Sequence, residues 1–589
     1  MVPEAIRQSE RRDDVQVRLP DGRVFEAPIG TPLTDLFRVA YPNGDDPPVA
    51  AIVDGELQEL GQPLTTDVDA APVLHSSSDG TRIYSRSLSF LLVVVAAELF
   101  PDVRIHIEYS VPHGGFFCRA ERRKPFTSKE LARIKTRMAE IVVEDLPIER
   151  KRYTLAEARE IFSARGEESK ARLLEDRATD HLHLYSLNGT SDYYYGYMVP
   201  STGVLKVFGI EPFSDGFILR FPRREEPAKL LPPKRFTALR EVFDEYGQWL
   251  RLLGMRSVES LNDAIRTARI EQIVLVSEAL HEKRIAEIAG QVAGKHRDGL
   301  RLVFIAGPSA SGKTTFSKRL AIQLLAEGLQ PYPLAMDNYY LARSVLRERF
   351  GRDVDVDSLD ALDLERLRSD LGCLVRGERV TIPRFDFRTG ERTDGQSVQL
   401  GANQILLVEG IHGLNPELLT ESPARSCYRV FVSALTQLNL DIHNRVSTTD
   451  TRLIRRIVRD AVYRGYSAEE TLGMWDNVRR GEKQNIYAYQ EEADVMFNSA
   501  LGYELAVLKP HVEPLLLQIR HPQHRIEAER LLALLWWFDP YTTENIPGNS
   551  ILREFIGGSI LREYTPVPRE GTTLQETDRA TAKEAPREH

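Results

Sequence analysis

The chain has 589 residues, with 77 Lys plus Arg against 86 Asp plus Glu and a formal charge of −9. At roughly 100–200 residues per domain this length predicts about three or four domains and excludes a single core. The acidic balance excludes a chain that coats nucleic acid by bulk charge, though a local basic patch is compatible with it; 42% hydrophobic and 28% charged residues exclude wholesale disorder and fibrous classes.

The opening stretch from Met1 to Arg7 is charged and has no apolar signal region behind it. Residues 1–14 therefore read as a flexible lead-in and the protein as cytoplasmic. Val15, Val17 and Leu19 alternate, Asp21-Gly22 supplies a turn and Val24 to Ala27 a second strand, so residues 15–77 are expected to form a small β-rich module opening with a hairpin. From 80 to 220 an α+β domain is expected. Its apolar run from Leu88 to Phe100 contains Glu98 and is well short of the roughly 18–20 residues needed to cross a bilayer, so it reads as a buried helix, with no membrane contact. Leu131, Ile134, Met138 and Ile141 predict a helix over Ser128 to Glu144, and aromatic-rich strands are expected from Asp192 to Phe208. There Tyr193, Tyr194, Tyr195 and Tyr197 either stack on a base or pack a sheet. His181 and His183 alternate on a strand and read as local hydrogen-bonding groups rather than metal ligands. The cysteines Cys118, Cys373 and Cys427 are too widely spaced for a Cys-x-x-Cys site and exclude a disulfide scaffold.

Residues 221–299 read as a Pro-rich charged linker followed by a helical segment. At Leu302 to Ala306 a continuous apolar strand runs into a Gly-rich turn and then a helix, the start of an α/β unit occupying 300–565. Pro331 to Met336, Ile405 to Val408 and Val430 to Val432 are further strand candidates for a parallel sheet with flanking helices. The tail 566–589 has almost no large apolar residue and is expected to be disordered.

Gly307-Pro308-Ser309-Ala310-Ser311-Gly312-Lys313-Thr314 fits G-x-x-x-x-G-K-[ST] between that strand and that helix. Backbone amides from Gly307, Ser309, Ser311 and Gly312, with Thr315 beyond them, can turn toward a phosphate at a helix N-terminus; Lys313 can reach the β- and γ-phosphates and the Thr314 hydroxyl can ligate Mg²⁺. ATP and Mg²⁺ are therefore the expected nucleotide and metal. Glu409 ends an apolar strand and points at the crevice where ligands sit, a partner for the metal or its water shell. Asp337 follows a strand and either accepts a proton from an attacking hydroxyl or caps a helix. Arg452, Arg455, Arg456 and Arg459 recur at helical spacing opposite Ile454, Ile457, Val458 and Ala461. They form either a solvated face or a lid, extended by Arg464, that brings positive charge from Arg452, Arg456 and Arg459 to the transferring phosphoryl group.

These residues resemble the uridine kinase and phosphoribulokinase family of P-loop kinases from about 300 to 560. The resemblance rests on Gly307 to Thr315, Met336-Asp337-Asn338-Tyr339-Tyr340, the Asp355 to Asp363 segment, Pro383 to Phe387, Val408-Glu409-Gly410-Ile411 and the arginine helix. It implies that Asp337 is the base for a sugar hydroxyl, that Asp357 holds the ribose, that Phe385 and Arg392 line the acceptor site, and that Glu409 serves the metal. Where uridine kinases carry Tyr-Asp-Phe and then a base-reading His, this sequence has Phe385-Asp386-Phe387 and Gly390, which loosens the base preference. The first 220 residues resemble threonyl-tRNA synthetase: 15–77 its β-grasp-like TGS module, and 80–220 its editing-type domain through Pro112 to Phe117, Ile134 to Arg150 and Val199 to Gly203. At the metal-type positions of that domain stand Arg86, Phe90, Tyr194 and Met198, which lack imidazole and thiolate donors, so editing is not expected.

The expectation is thus an ATP-dependent nucleoside kinase acting on a ribonucleoside 5′-hydroxyl. The alternatives are a kinase of another small or phosphorylated sugar alcohol, and an RNA-associated regulatory protein that uses the nucleotide site as a switch. Self-association is left open.

Overall fold

The computed structural model describes residues 12–42, 46–121, 123–175, 177, 179–234, 236–350, 358–386, 389–419 and 427–564. Asp357, residues 1–11 of the lead-in and the tail 566–589 lie outside them.

Val15 and Val17 are buried between exposed neighbours, which turns one face of the first strand inward. Strands β1 (Asp14–Arg18), β2 (Val24–Pro28), β3 (Pro48–Val53), β4 (Glu56–Gln58) and β5 (Val68–Leu74) form a sheet of order β2-β1-β5-β3-β4, and helix α1 (Leu33–Ala40) packs Leu36 and Phe37 onto it. Helix α2 (Ser78–Leu99) starts where Ser77 Oγ accepts the Gly80 amide, and it is buried around its whole circumference from Leu88 to Ala96, as the unbroken apolar run requires.

The chain continues through β6 (Ile105–Ser110), β7 (Gly115–Ala120), α3 (Ser128–Glu144), β8 (Glu149–Thr154), α4 (Leu155–Ala164), α5 (Glu168–Leu173), β9 (His181–Leu187), β10 (Thr190–Asp192), β11 (Gly209–Phe213) and β12 (Gly216–Arg220). These give one sheet of order β11-β12-β7-β6 and another of order β10-β9-β8. Thr127 and Glu130 cap α3 reciprocally, and the four apolar residues named from its spacing are its buried ones. The strands expected between Asp192 and Phe208 stop at Asp192. Gly196 lies at φ +124° and a 3₁₀ turn takes Thr202–Val204, so the tyrosines between sit in irregular chain rather than in a sheet.

Helices α6 (Thr237–Leu252), α7 (Val258–Arg266) and α8 (Ile270–Arg297) lead into β13 (Leu302–Ala306). Then follow α9 (Lys313–Ala326), β14 (Gln330–Ala335), α10 (Arg343–Phe350), α11 (Leu364–Val375), the hairpin β15 (Val380–Asp386) and β16 (Glu391–Val398), β17 (Gln404–Glu409), β18 (Cys427–Ser433), α12 (Thr448–Tyr463), α13 (Ala468–Asn485), β19 (Val495–Asn498), α14 (Glu504–Leu517), α15 (Pro522–Leu535) and α16 (Arg553–Ile556). The central sheet, β14-β17-β13-β18-β19, is parallel throughout. Its inner strands read as continuous apolar runs because both faces are covered.

The two halves of the chain meet along residues 434–446, between β18 and α12. The Asn439 amide donates to Ile107 O and Glu108 O at 3.2 and 2.9 Å, Ile107 N–H donates to Ile442 O at 2.9 Å, and Asn444 Nδ2 donates to Tyr193 O at 2.9 Å. No helix among the described residues is long and apolar enough to cross a membrane.

Candidate active site

The carboxyl ends of the parallel strands gather the chemistry, as the crevice rule for such sheets anticipates. Between β13 and α9 the chain folds as the phosphate loop. Gly307 is required by a close approach, since a Cβ there would sit 2.0 Å from Val432 O, and Gly312 by a left-handed φ of +84°. Lys313 Nζ donates to Gly307 O and Pro308 O at 2.8 and 3.0 Å, bent back over its own loop. Burial lowers its pKa, while the charges of Glu409, Glu554, Asp337 and Glu482 oppose that shift.

Thr314 Oγ1 donates to Glu409 Oε1 at 2.8 Å, which brings a hydroxyl and a carboxylate together beside Lys313. Burial pushes the Glu409 carboxyl up to about 7, against the pull of Lys313. A half-buried carboxylate held next to a hydroxyl, all oxygen, is a donor set suited to Mg²⁺. Among the described residues, no cluster of three His, Cys, Asp or Glu side chains forms a dedicated metal cage. Asp337 follows β14, whose end pairs with that of β17, so it stands near Glu409 in a 3₁₀ turn over Met336–Tyr339. It caps no helix, the N-cap position of that turn being Ala335. Desolvation by the surrounding protein raises its pKa, and Lys313 and Arg464 pull the other way.

The arginine helix departs from the expectation of a solvated face. Ile454, Ile457 and Val458 are buried, but so are Arg452 and Arg455, at 1% and 0% exposure, so these two arginines form no solvated face. The cause is a pair of distant carboxylates. Glu482 binds Arg452 and also accepts the Ser309 amide at 2.8 Å, and Glu504 accepts Arg455 Nε at 2.5 Å. Arg452 Nε donates to Ser309 O at 2.9 Å and Arg455 NH1 to Ala310 O at 3.4 Å, so these two brace the loop by its carbonyls. Ser499 adds a bond from Oγ to Ser311 O at 2.5 Å. Arg456 donates to Ser309 Oγ at 2.8 Å, and the buried Asp460 gathers Arg456, Arg459 and Arg464 at 3.2, 2.7 and 3.6 Å. Sequence reasoning missed Asp460, although its i, i+4 spacing to Arg456 and Arg464 was a usable signal. Glu482, Glu504 and Glu554 left no local signal.

Of the residues expected to line the acceptor site, Phe385 meets Tyr340 with ring centroids 5.7 Å apart, and Arg392 pairs with Asp363 at 2.8 Å. Gly390 lies against Arg343, whose Cδ would be 2.3 Å from an added Cβ.

In the amino-terminal half, Phe90 and Tyr194 meet edge to face at 5.5 Å, Ser87 Oγ donates to Met198 Sδ at 3.3 Å and Arg86 donates to Tyr197 O at 2.7 Å. A packed aromatic core fills the positions where metal ligands were considered. The tyrosines do not pack a sheet: Tyr193 lies on Trp537 at 4.5 Å and Tyr195 OH donates to Arg445 O at 2.5 Å.

Residues 302–503 match the Phosphoribulokinase / Uridine kinase family. That span contains the loop, Asp337, Glu409 and the arginine helix. The amino-terminal part is similar to threonine–tRNA ligases. That of Paraburkholderia xenovorans is 36% identical over 200 residues, 33% of this chain and 31% of the relative. That of Citrifermentans bemidjiense is 29% identical over 205 residues, 35% and 32% of the two chains. The chain thus spans about a third of the length of the curated relatives it matches. Among solved structures, D-glycerate 3-kinase from Cryptococcus neoformans aligns with 46% of this chain and 87% of its own, at 16% identity and a TM-score of 0.21, a likeness too slight to carry an argument.

Proposed function

We propose that the chain is an ATP-dependent phosphotransferase of the nucleoside-kinase type, moving the γ-phosphoryl group to the 5′-hydroxyl of a ribonucleoside with relaxed base preference. The observation that carries this reading is the meeting of Lys313, the Thr314–Glu409 pair and Asp337 at neighbouring strand ends of one parallel sheet. In this reading the loop amides and Lys313 hold the phosphates, and Asp337 accepts the proton of the attacking hydroxyl. Arg456, Arg459 and Arg464 face the transferring group, while Arg452 keeps the loop in shape. Thr314 and Glu409 would hold Mg²⁺, which when bound neutralises charge on the phosphates.

A second reading is favoured by one contact. The Arg343 side chain fills the space beside Gly390, and a guanidinium there suits an acceptor bearing an anionic group, such as a phosphorylated sugar alcohol. Incubating the full chain with radiolabelled ATP and a panel of nucleosides, sugar alcohols and sugar phosphates separates the two. Lys313→Ala is expected to lower turnover more than about 100-fold, and Asp337→Asn by about 10²–10⁴ while nucleotide still binds. Full turnover by Asp337→Asn would remove it as the base, and no labelled product from any acceptor would end both readings.

A further inference from the structure

The first turn of a helix leaves amides without intrahelical partners, and in a phosphate loop these amides are what the nucleotide uses. Here one of them is already taken, by a residue from the far end of the chain. Glu554 Oε2 accepts the Thr315 N–H at 3.0 Å and the Thr315 hydroxyl at 2.8 Å, across 239 residues. An ordinary cap comes from the residue just before the helix; this one arrives on a separate segment and can leave without unwinding α9.

The segment is seated on the loop and on α9. Ile551 Cγ2 would lie 2.6 Å from a Cβ on Gly312, and the carbonyls of Leu561 and Arg562 each take Lys318 Nζ at 2.6 Å. The segment's own Ile551, Leu552 and Phe555 are fully buried, and Arg455, which braces the loop, lies 5.0 Å from the Phe555 ring. Charge points the same way. Glu409, Glu554, Asp337 and Glu482 all act on Lys313, so Glu554 adds a further negative charge where a polyphosphate must enter.

Resting on the phosphate-loop reading above, we propose that residues 550–564 form an intrasteric plug: the Glu554 carboxylate stands in for a nucleotide phosphate on Thr315, and nucleotide binding requires its displacement.

The test uses the full chain, a fluorescent ATP analogue with Mg²⁺, and Glu554→Gln, which keeps the shape and removes the charge. Loss of a charge-assisted contact that competes with phosphate is expected to tighten binding by about tenfold. Hydrogen exchange on the unmodified chain supplies a measurement independent of that variant's folding: saturating nucleotide is expected to speed exchange across 550–564. Equal affinity in wild type and Glu554→Gln, or slower exchange across that segment, would overturn the plug alone. No binding by either form would overturn the phosphate-loop reading, and the plug with it.

Discussion

Lys170 and Asp192 meet at 2.5 Å inside the seam between the two halves of the chain, at 4% and 0% side-chain exposure, with His443 Nδ1 2.6 Å from the second Asp192 oxygen. Burial opposes the Lys170 charge, but Asp192, Asp441 and Glu167 outweigh it and hold its pKa above the usual lysine range. His443 and Asp441, which contact this pair, join the synthetase-like part to the stretch that leads into the arginine helix.

Removing one partner of a buried pair strands the other charge, at a cost of about 3–5 kcal/mol. Asp192→Asn is therefore expected to lower urea-unfolding stability by that order. If the seam is as continuous as its hydrogen bonds indicate, wild type unfolds with both halves in one transition; a variant within about 0.5 kcal/mol of wild type would show the pair to be energetically idle.

Arg452 serves Ser309 O, Tyr487 OH and Glu482 with one planar group. A lysine has a single nitrogen and cannot span the three. Arg452→Lys is expected to weaken nucleotide binding at least tenfold in calorimetric titration and to lower the melting temperature. Arg459→Ala, at a residue whose guanidinium bonds only Asp460 among the described residues, should instead lower turnover with little change in melting.

Gly312→Ala combines a left-handed φ of +84° with a Cβ 2.6 Å from Ile551. Strain of this kind costs about 1–3 kcal/mol. A loss of that size on thermal or urea unfolding, with weakened nucleotide binding, is the expected result; an unchanged titration would show that the loop tolerates the new contact.

His281 Nε2–H donates to Ala500 O at 3.2 Å, and burial pushes its pKa down to about 3. An unfolded histidine titrates near 6.5. Between those values the unfolded chain binds a proton that the folded chain does not, so stability rises with pH across the window and is complete above about 6.5. The slope contributed approaches about 1.4 kcal/mol per pH unit. Stability curves of wild type and His281→Gln, taken from pH 4 to 7, should diverge toward acid, with the variant flatter.

Much of the fold was legible because its signals are local. Leu302 to Ala306 is the strand itself, since a strand covered on both faces must be apolar without interruption, and the spacing of Leu131, Ile134, Met138 and Ile141 announces α3. What was misread depends on distant partners. Tyr193 and Tyr195 looked like strand residues, yet they reach across the seam to Trp537 and Arg445. The arginine spacing was right and its environment was not, because Glu482 and Glu504 neutralise Arg452 and Arg455 from 30 and 49 residues away. A helical pattern reports which residues share a face and is silent about what that face meets.

The tethered stretch 434–446 has a mechanical consequence. It is pinned to β6 by Asn439 and runs straight into α12, whose Arg452 grips Ser309. A twist of the amino-terminal sheets against the parallel sheet is therefore levered onto the phosphate loop through little more than one turn of helix. A piece cut out near residue 300 would carry every side chain proposed for catalysis and lose the anchorage that keeps them in register.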